Sequence, residues 1–445
     1  MLGPLVTAWQ VGEIGYNTFN TDIGGPMNLG EEYRWNIKTV TYGFDSSFLN
    51  YFGQKGVDAV NQAFAILNNL PAFSKMSTNL DEFPLDTRRV NYRASALALL
   101  DVKSTMLGLM MEEVGLASPD RYTWTLRDRR VIGNIPFYLV IKRNFDPVTL
   151  APSSYVNGVL YTYGIVQIAI PPAWDAVEVQ VDPVAFGFTA VASDIDALIS
   201  TSSGSGAQGP SLGAGEFYVG LTRDDVGGLR YIYRPNNYNI ENLIPGTTGG
   251  GGGGGGSPWS PVGPGGTNTI AVNTALRPGV DHITFQQAKY DSVLGVFVTV
   301  TNNYQDTYLT NSALVSQTTQ RILTAPDILI TAGDLGLDLG GNPIFLLRTI
   351  AAPTAWVNNN ALNSQSIVPL DGPGVINGQI QFQFSKLGPY NYNSGPDPNG
   401  LSFLDELSSF PGVLWGSFDG TTNDPVVYPI GSSIQDLEQR VLNGH

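Results

Sequence analysis

Eight consecutive glycines, Gly249 to Gly256, interrupt this 445-residue chain and constrain its fold more than any other feature. A run without side chains has nothing to bury, and glycine loses more backbone freedom on ordering than any other residue. Residues 246–266 (GTTGGGGGGGGSPWSPVGPGG) must therefore be a linker or a strand supported from outside. The pattern differs on either side: helical and strand periods before the run, strand periods alone after it.

Residues 1–35 are rich in Gly, Asn and Pro and read as an extended N-terminal arm. Such an arm either lies on its own domain or adds a strand to a neighbouring subunit. Residues 36–245 read as an α+β domain. Val40 to Phe44 alternates like a strand; Val57, Val60, Phe64 and Leu67 recur at helical spacing, with Gly56 before them and Pro71 closing the segment. A second helix is expected over Tyr92–Val114, stopped by Gly115. Strand patterns follow at Phe137–Ile141, Val159–Ile170 and Val177–Val181, and residues 201–215 form a flexible loop. A short helix is expected at Asp224–Tyr233, with Thr222 as N-cap and Asp225 completing an acidic capping box. Beyond the glycines, Val293–Thr301 alternates, Ile344–Ile350 is a candidate buried strand, and Asn377-Gly378 turns into Ile380–Phe384. Residues 267–445 accordingly read as an all-β, sandwich-like domain.

Charged residues make up only 14%, the net charge is −15 and the pI is near 4.5. That balance argues against nucleic acid and anionic membranes as partners. No stretch approaches the roughly 20 apolar residues of a membrane span. The densest basic group, Arg127, Arg129 and Arg130, reads as a solvated loop. Cysteine is absent, which removes disulfides, thiolate nucleophiles and Cys-ligated metals. The first residues, MLGPLVTAWQVGEIGYNTFN, have neither a basic n-region nor a long apolar h-region, the texture of an exported chain whose signal has been removed.

Three segments of the first half resemble the matrixin-type metzincin peptidases. Trp35–Leu70 is similar to the family's opening strand and first helix. Leu107–Leu116 (LGLMMEEVGL) is similar to its active-site helix, and Leu221–Tyr233 (LTRDDVGGLRYIY) to its closing helix. In that family HExxHxxGxxH places two zinc-binding histidines one turn apart, with a glutamate activating the zinc-bound water. Aligned on Gly115-Leu116, the histidine positions fall on Gly108, Glu112 and Ser118, and the glutamate position on Leu109. Gly215-Glu216-Phe217-Tyr218 stands where the family has its methionine turn. The resemblance thus implies a degenerate metzincin-like domain without zinc-peptidase chemistry. The whole chain is similar to large secreted bacterial proteins carrying such a domain.

Other chemistry is sparse. Of the two histidines, His445 is terminal and His282 follows Asp281 in a strand-like segment, where neighbours point to opposite faces. A Ser-His-Asp triad is not expected. Glu112 and Glu113 read either as a solvated helix face or as one carboxylate of an acid/base pair. Three Asp-rich turns are ordinary Asx turns or calcium sites: Asp334–Asp338, Asp397–Gly400 and Asp419–Asp424. Asp419, Asn423 and Asp424 make the best ligand set, and calcium is the only cofactor considered.

The reading that follows is a non-catalytic, exported, extracellular structural protein. It assembles with itself into a filament or surface layer through the arm and the glycine segment. The alternative is a polysaccharide-acting enzyme or carbohydrate-binding module, with glycans meeting loop aromatics such as Trp9, Trp259, Trp356, Tyr390 and Tyr392.

Overall fold

The computed structural model describes residues 34–116, most of 123–180, 212–249 except 245, 271–332, 336–337, 343–344, 380–383 and 414–442. In chain order the elements used below begin with β1 (Thr39–Phe44), α1 (Ser46–Asn68), α2 (Tyr92–Ala96), β2 (Leu99–Asp101), α3 (Val102–Glu113) and α4 (Arg223–Tyr233). They continue with β3 (Tyr238–Asn242), β4 (Thr247–Gly249), β5 (Thr274–Pro278), β6 (Thr284–Gln287), β7 (Val300–Thr310) and β8 (Ala313–Leu323). The last are β9 (Ile328–Thr331), β10 (Ile380–Gln383), β11 (Leu414–Ser417) and α5 (Ile434–Leu442). Helices and several sheets thus share the chain, an α+β mixture.

The core is organised around β1. Val40 to Phe44 are all buried, so both faces of the strand are covered, as in a parallel sheet with helices packed on it. β1 pairs in parallel with β6 on one side (Thr39↔Thr284 to Tyr42↔Gln287) and with β9 on the other (Tyr42↔Ile328 to Phe44↔Ile330). β10 extends the sheet beyond β9, also in parallel. The sequence reading puts β1 and these partners in different domains separated by residues 246–266. In the structure they form one sheet, and a single buried cluster runs from Trp35 to Tyr428.

An aromatic stack on one face of α1 covers β1. Tyr42 stacks on Phe64 with ring centroids 3.7 Å apart, Phe44 meets Phe48 at 5.0 Å, and Phe52 meets Tyr428 at 4.8 Å. α1 starts well before the Gly56 that the sequence suggests, because Asp45 caps it by accepting from the Phe48 amide at 2.9 Å. Gly53, with φ +58°, places a kink inside it.

The single helix expected over Tyr92–Val114 is instead two helices with a strand between them. Asn91 caps α2 by accepting from the Ala94 amide at 3.0 Å. Ala98 then turns left-handed at φ +55°, and β2 pairs in parallel with β11. A second start signal, Asp101 followed by Ser104, opens α3. The capping box at α4 forms as expected, with Thr222 and Asp225 bonding reciprocally.

The alternation of Val293–Thr301 is not one strand either. Asp291 Oδ1 accepts from the Val293 and Leu294 amides, Gly295 takes φ +69°, and the chain turns before β7 begins. β7 and β8 form a hairpin paired from Val300↔Leu323 to Thr310↔Ala313. Asn311 and Ser312, at φ +46° and +60°, supply the left-handed two-residue turn that such hairpins require. The antiparallel sheet runs β3-β5-β7-β8-β4, so the first glycine of the run, Gly249, lies in its edge strand opposite Thr319. The Arg127–Arg130 group lies on a strand, Thr123–Ile132, and not in a loop. Of the expected arm, Arg34 and Trp35 are described and buried; residues 1–33 lie outside the described residues.

Candidate functional site

The three segments that carry the metzincin resemblance converge on one core. Residues of β1, α1, α3 and α4 all belong to the same buried cluster. Along α3, Met106, Leu107, Leu109, Met110 and Met111 are each no more than 1% exposed, so residues 106–111 are buried on all sides. Gly108 and Leu109, two of the positions a zinc site would use, are buried in that packing. The side chains of Glu112 and Glu113 and all of Ser118 lie outside the described residues.

At the head of α3 a buried carboxylate replaces a solvent-facing cap. Asp101 Oδ2 accepts from the Ser104 amide at 3.0 Å and from its hydroxyl at 2.5 Å. Ser104 Oγ in turn accepts from the Tyr218 amide at 2.8 Å, which ties the strand Glu216–Tyr218 to the helix. Burial, the largest influence, pushes the Asp101 carboxyl above its usual range; Lys103 and the Ser104 bonds pull the other way. Nearby, Tyr428 shares a 2.8 Å bond with Ser417 Oγ, and burial raises its hydroxyl to about 12. These groups hold three chain segments together, with the Asp101–Ser104 pair buried at the head of the helix.

The densest buried electrostatics lie elsewhere, at residues the sequence reading did not single out. Arg277, 1% exposed, pairs bidentately with Asp306: Nε to Oδ1 at 2.8 Å and one terminal nitrogen to Oδ2 at 3.0 Å. It also donates to the carbonyls of Glu241, Asn273 and Val272. Arg34 donates to Glu241 at 2.6 Å and to the carbonyls of Ile232, Asn237 and Arg277. Burial raises the Glu241 carboxyl, and the two arginines lower it less. Arg321 pairs with Asp327 at 2.5 Å, and Asp327 also accepts from the Thr41 amide and hydroxyl at 2.8 Å each. This chemistry fixes strands: β1 to Asp327 just before β9, β5 to β7, and residue 34 to β3. The available sequence signal was a charge inside an apolar strand pattern, as at Glu241 in NIENLI and Arg277 in TALRP.

The two carboxylates of the expected calcium set, Asp419 and Asp424, each have a protein partner. Asp419 Oδ1 accepts from the Thr421 amide at 2.8 Å and its hydroxyl at 2.5 Å, an Asx turn that lowers the carboxyl's pKa. The Asn423 amide donates to Thr421 Oγ1 at 3.3 Å, and Asp424 is ion-paired to Arg93, which also holds Glu438 of α5. Among the described residues no group of three or more His, Cys, Asp or Glu side chains is placed to hold a metal. The turns Asp334–Asp338 and Asp397–Gly400 lie outside the described residues, apart from Gly336 and Leu337.

Asp281 and His282 go separate ways. Asp281 accepts from the Ser74 amide and hydroxyl at 2.7 Å each, and His282 Nε2 lies 3.0 Å from the Leu70 carbonyl. His282 borders a cavity of about 20 Å³, room for about one water, walled mainly by Leu67, Phe73, Val114, Leu229 and Phe285. Comparison with known proteins finds no matching family model, no matching curated protein and no matching solved structure.

Proposed function

We propose that this chain is a non-catalytic, exported structural protein that forms an extracellular assembly, a filament or surface layer. The contacts between copies are made by its N-terminal arm and glycine-rich segment. The observation carrying this reading is the placement of Thr247–Gly249. The first glycine of the run, Gly249, ends the outermost strand of the antiparallel sheet, which is paired only through β8 among the described residues. An outer strand that ends in glycine, which has no side chain, lets another backbone approach closely and add to the sheet.

The scaffold is a degenerate metzincin-like unit in this reading. The convergence of the three resembling segments on one core supports it, as does the packing role of Gly108 and Leu109, which align with a histidine and the glutamate of the family's motif. The buried charged pairs tie strands to one another, which suits a protein that bears load.

The test is electron microscopy of the purified native protein at micromolar concentration, with and without a chelator. Regular fibres or sheets are the expected result. Loss of order in chelator would implicate calcium at the Asp-rich turns, of which Asp419, Asn423 and Asp424 make the best ligand set. Dispersed single particles under every condition would refute the assembly.

A further inference from the structure

The two sheets treat their open edges differently. The outer edge of β6 is covered by a side chain: Asn68 accepts from the Phe285 amide at 2.6 Å and donates to its carbonyl at 2.9 Å. One amide side chain there does the work of a strand partner and closes the edge to other chains. Among the described residues, β8 has no such cover over most of its length. β4 pairs with Thr319, Gln320 and Arg321 only, and Ala313–Thr318 pair with no outer strand among the described residues. These six residues are exposed or half-buried throughout.

The hairpin is also the uncharged part of a strongly acidic molecule. Residues 300–320 contain one charged side chain, Asp306, and it is buried on Arg277, in a chain of net charge −15. Proteins usually protect an exposed edge with lysine, proline or an inward-pointing charge, and Ala313–Thr318 carries none of these. Two copies with this much like charge repel one another except where their surfaces are neutral. The exposed face of the hairpin is held in place by cross-strand bonds: Gln305 to Thr318 at 2.8 Å, Thr307 with Ser316 at 3.2 Å, and Gln320 to Asn303 at 3.1 Å. Leu314, 54% exposed, adds an apolar contact near the turn.

We infer that the open edge of β8, Ala313–Thr318, pairs antiparallel with the same edge of a second copy of this chain. The contact is isologous and joins copies in pairs. A filament then needs a second, different contact, which the proposed function places at the arm and glycine segment. The inference rests on that reading and specifies its first interface.

The absence of cysteine makes the test clean. Ser316→Cys, treated with a short bismaleimide at micromolar concentration, should give covalent dimers. Tyr92→Cys, at a position 83% exposed on a different element, should not. The double variant Leu314→Lys/Ser316→Lys sets like charges along the edge and should weaken self-association by about tenfold or more, with unchanged circular dichroism. Assembly unaffected by the lysines, together with no Ser316→Cys dimer, would overturn the inference and leave the proposed function standing. A native protein that stays monomeric at every concentration would overturn both. Hydrogen-exchange protection, in dilute monomer, of those 313–318 amides that point away from β7 would show the edge covered within one copy, and would also overturn it.

Discussion

Replacing Arg277 by methionine isolates what the buried charges contribute. Methionine keeps most of the aliphatic volume and removes five donors. Among the described residues, Asp306, 4% exposed, would then retain only the Gln317 side-chain amide at 2.7 Å. The carbonyls of Val272, Asn273 and Glu241 would lose a donor as well. Stranding one partner of a buried pair costs about 3–5 kcal/mol, far more than the intact pair is worth over a hydrophobic substitute. With a urea m-value of about 3 kcal/mol/M, the unfolding midpoint should fall by about 1 M or more. Arg277→Met/Asp306→Leu removes the stranded carboxylate and should recover about 2 kcal/mol, but not the share due to the three carbonyls. If Arg277→Met costs under about 1 kcal/mol, or the double variant is no better than the single, the charges do not fix β5 to β7 as argued.

Three further outcomes are expected. Asp101 is raised by burial, so its contribution is fully present below the unfolded pKa and is lost as pH rises through the folded one. Asp101→Asn, which keeps the acceptor for Ser104, should gain on wild type in urea midpoints measured at mildly alkaline pH, and the gain should vanish in acid. Asp419 is lowered by Thr421, so its contribution is present above the unfolded pKa and is lost as pH falls through the folded one. Thr421→Val should move the Asp419 titration, followed by carboxyl NMR, upward towards an ordinary aspartate. Gly215 sits at φ +78°, and an added Cβ would lie 2.3 Å from the Ser95 amide nitrogen, so Gly215→Ala should lower the thermal midpoint by more than about 1 kcal/mol implies.

What the sequence made legible was local. The capping box at Thr222–Asp225 and the helix through Val57–Leu67 follow from residues within a few positions of one another. The break in Tyr92–Val114 was also encoded locally, by Asn91 and by Asp101 with Ser104, but the apolar period across it masked both caps. The partners of β1 were not legible, because Thr39 meets Thr284 across 245 residues and nothing local fixes that register. The buried network failed for a similar reason: Arg34, Glu241, Arg277 and Asp306 acquire meaning only when four distant segments meet. The ion pair of Asp424 with Arg93 joins residues more than 300 positions apart and was not legible locally either.

The glycine run can be weighed against the distance it has to span. β4 ends at Gly249, level through Thr319 with Tyr304 of β7, while β5 begins at Thr274 beyond the Leu276↔Leu309 pair, near the other end of β7. Spanning three inter-strand spacings and about seven residues along β7 is a distance of roughly 27 Å, which about nine extended residues cover. The chain supplies residues 250–273, well over twice that length. Deleting Gly250–Gly256 would leave 17 residues for the crossing, and loop-closure entropy would change by only about 0.3 kcal/mol. The deletion should therefore fold with an unchanged thermal midpoint, and on the proposed function it should no longer form ordered assemblies in electron micrographs. Unfolding on deletion would mean that the glycines belong to the fold itself. A stable deletion that still assembles would remove them from the contact between copies and leave the β8 edge and the arm to account for it.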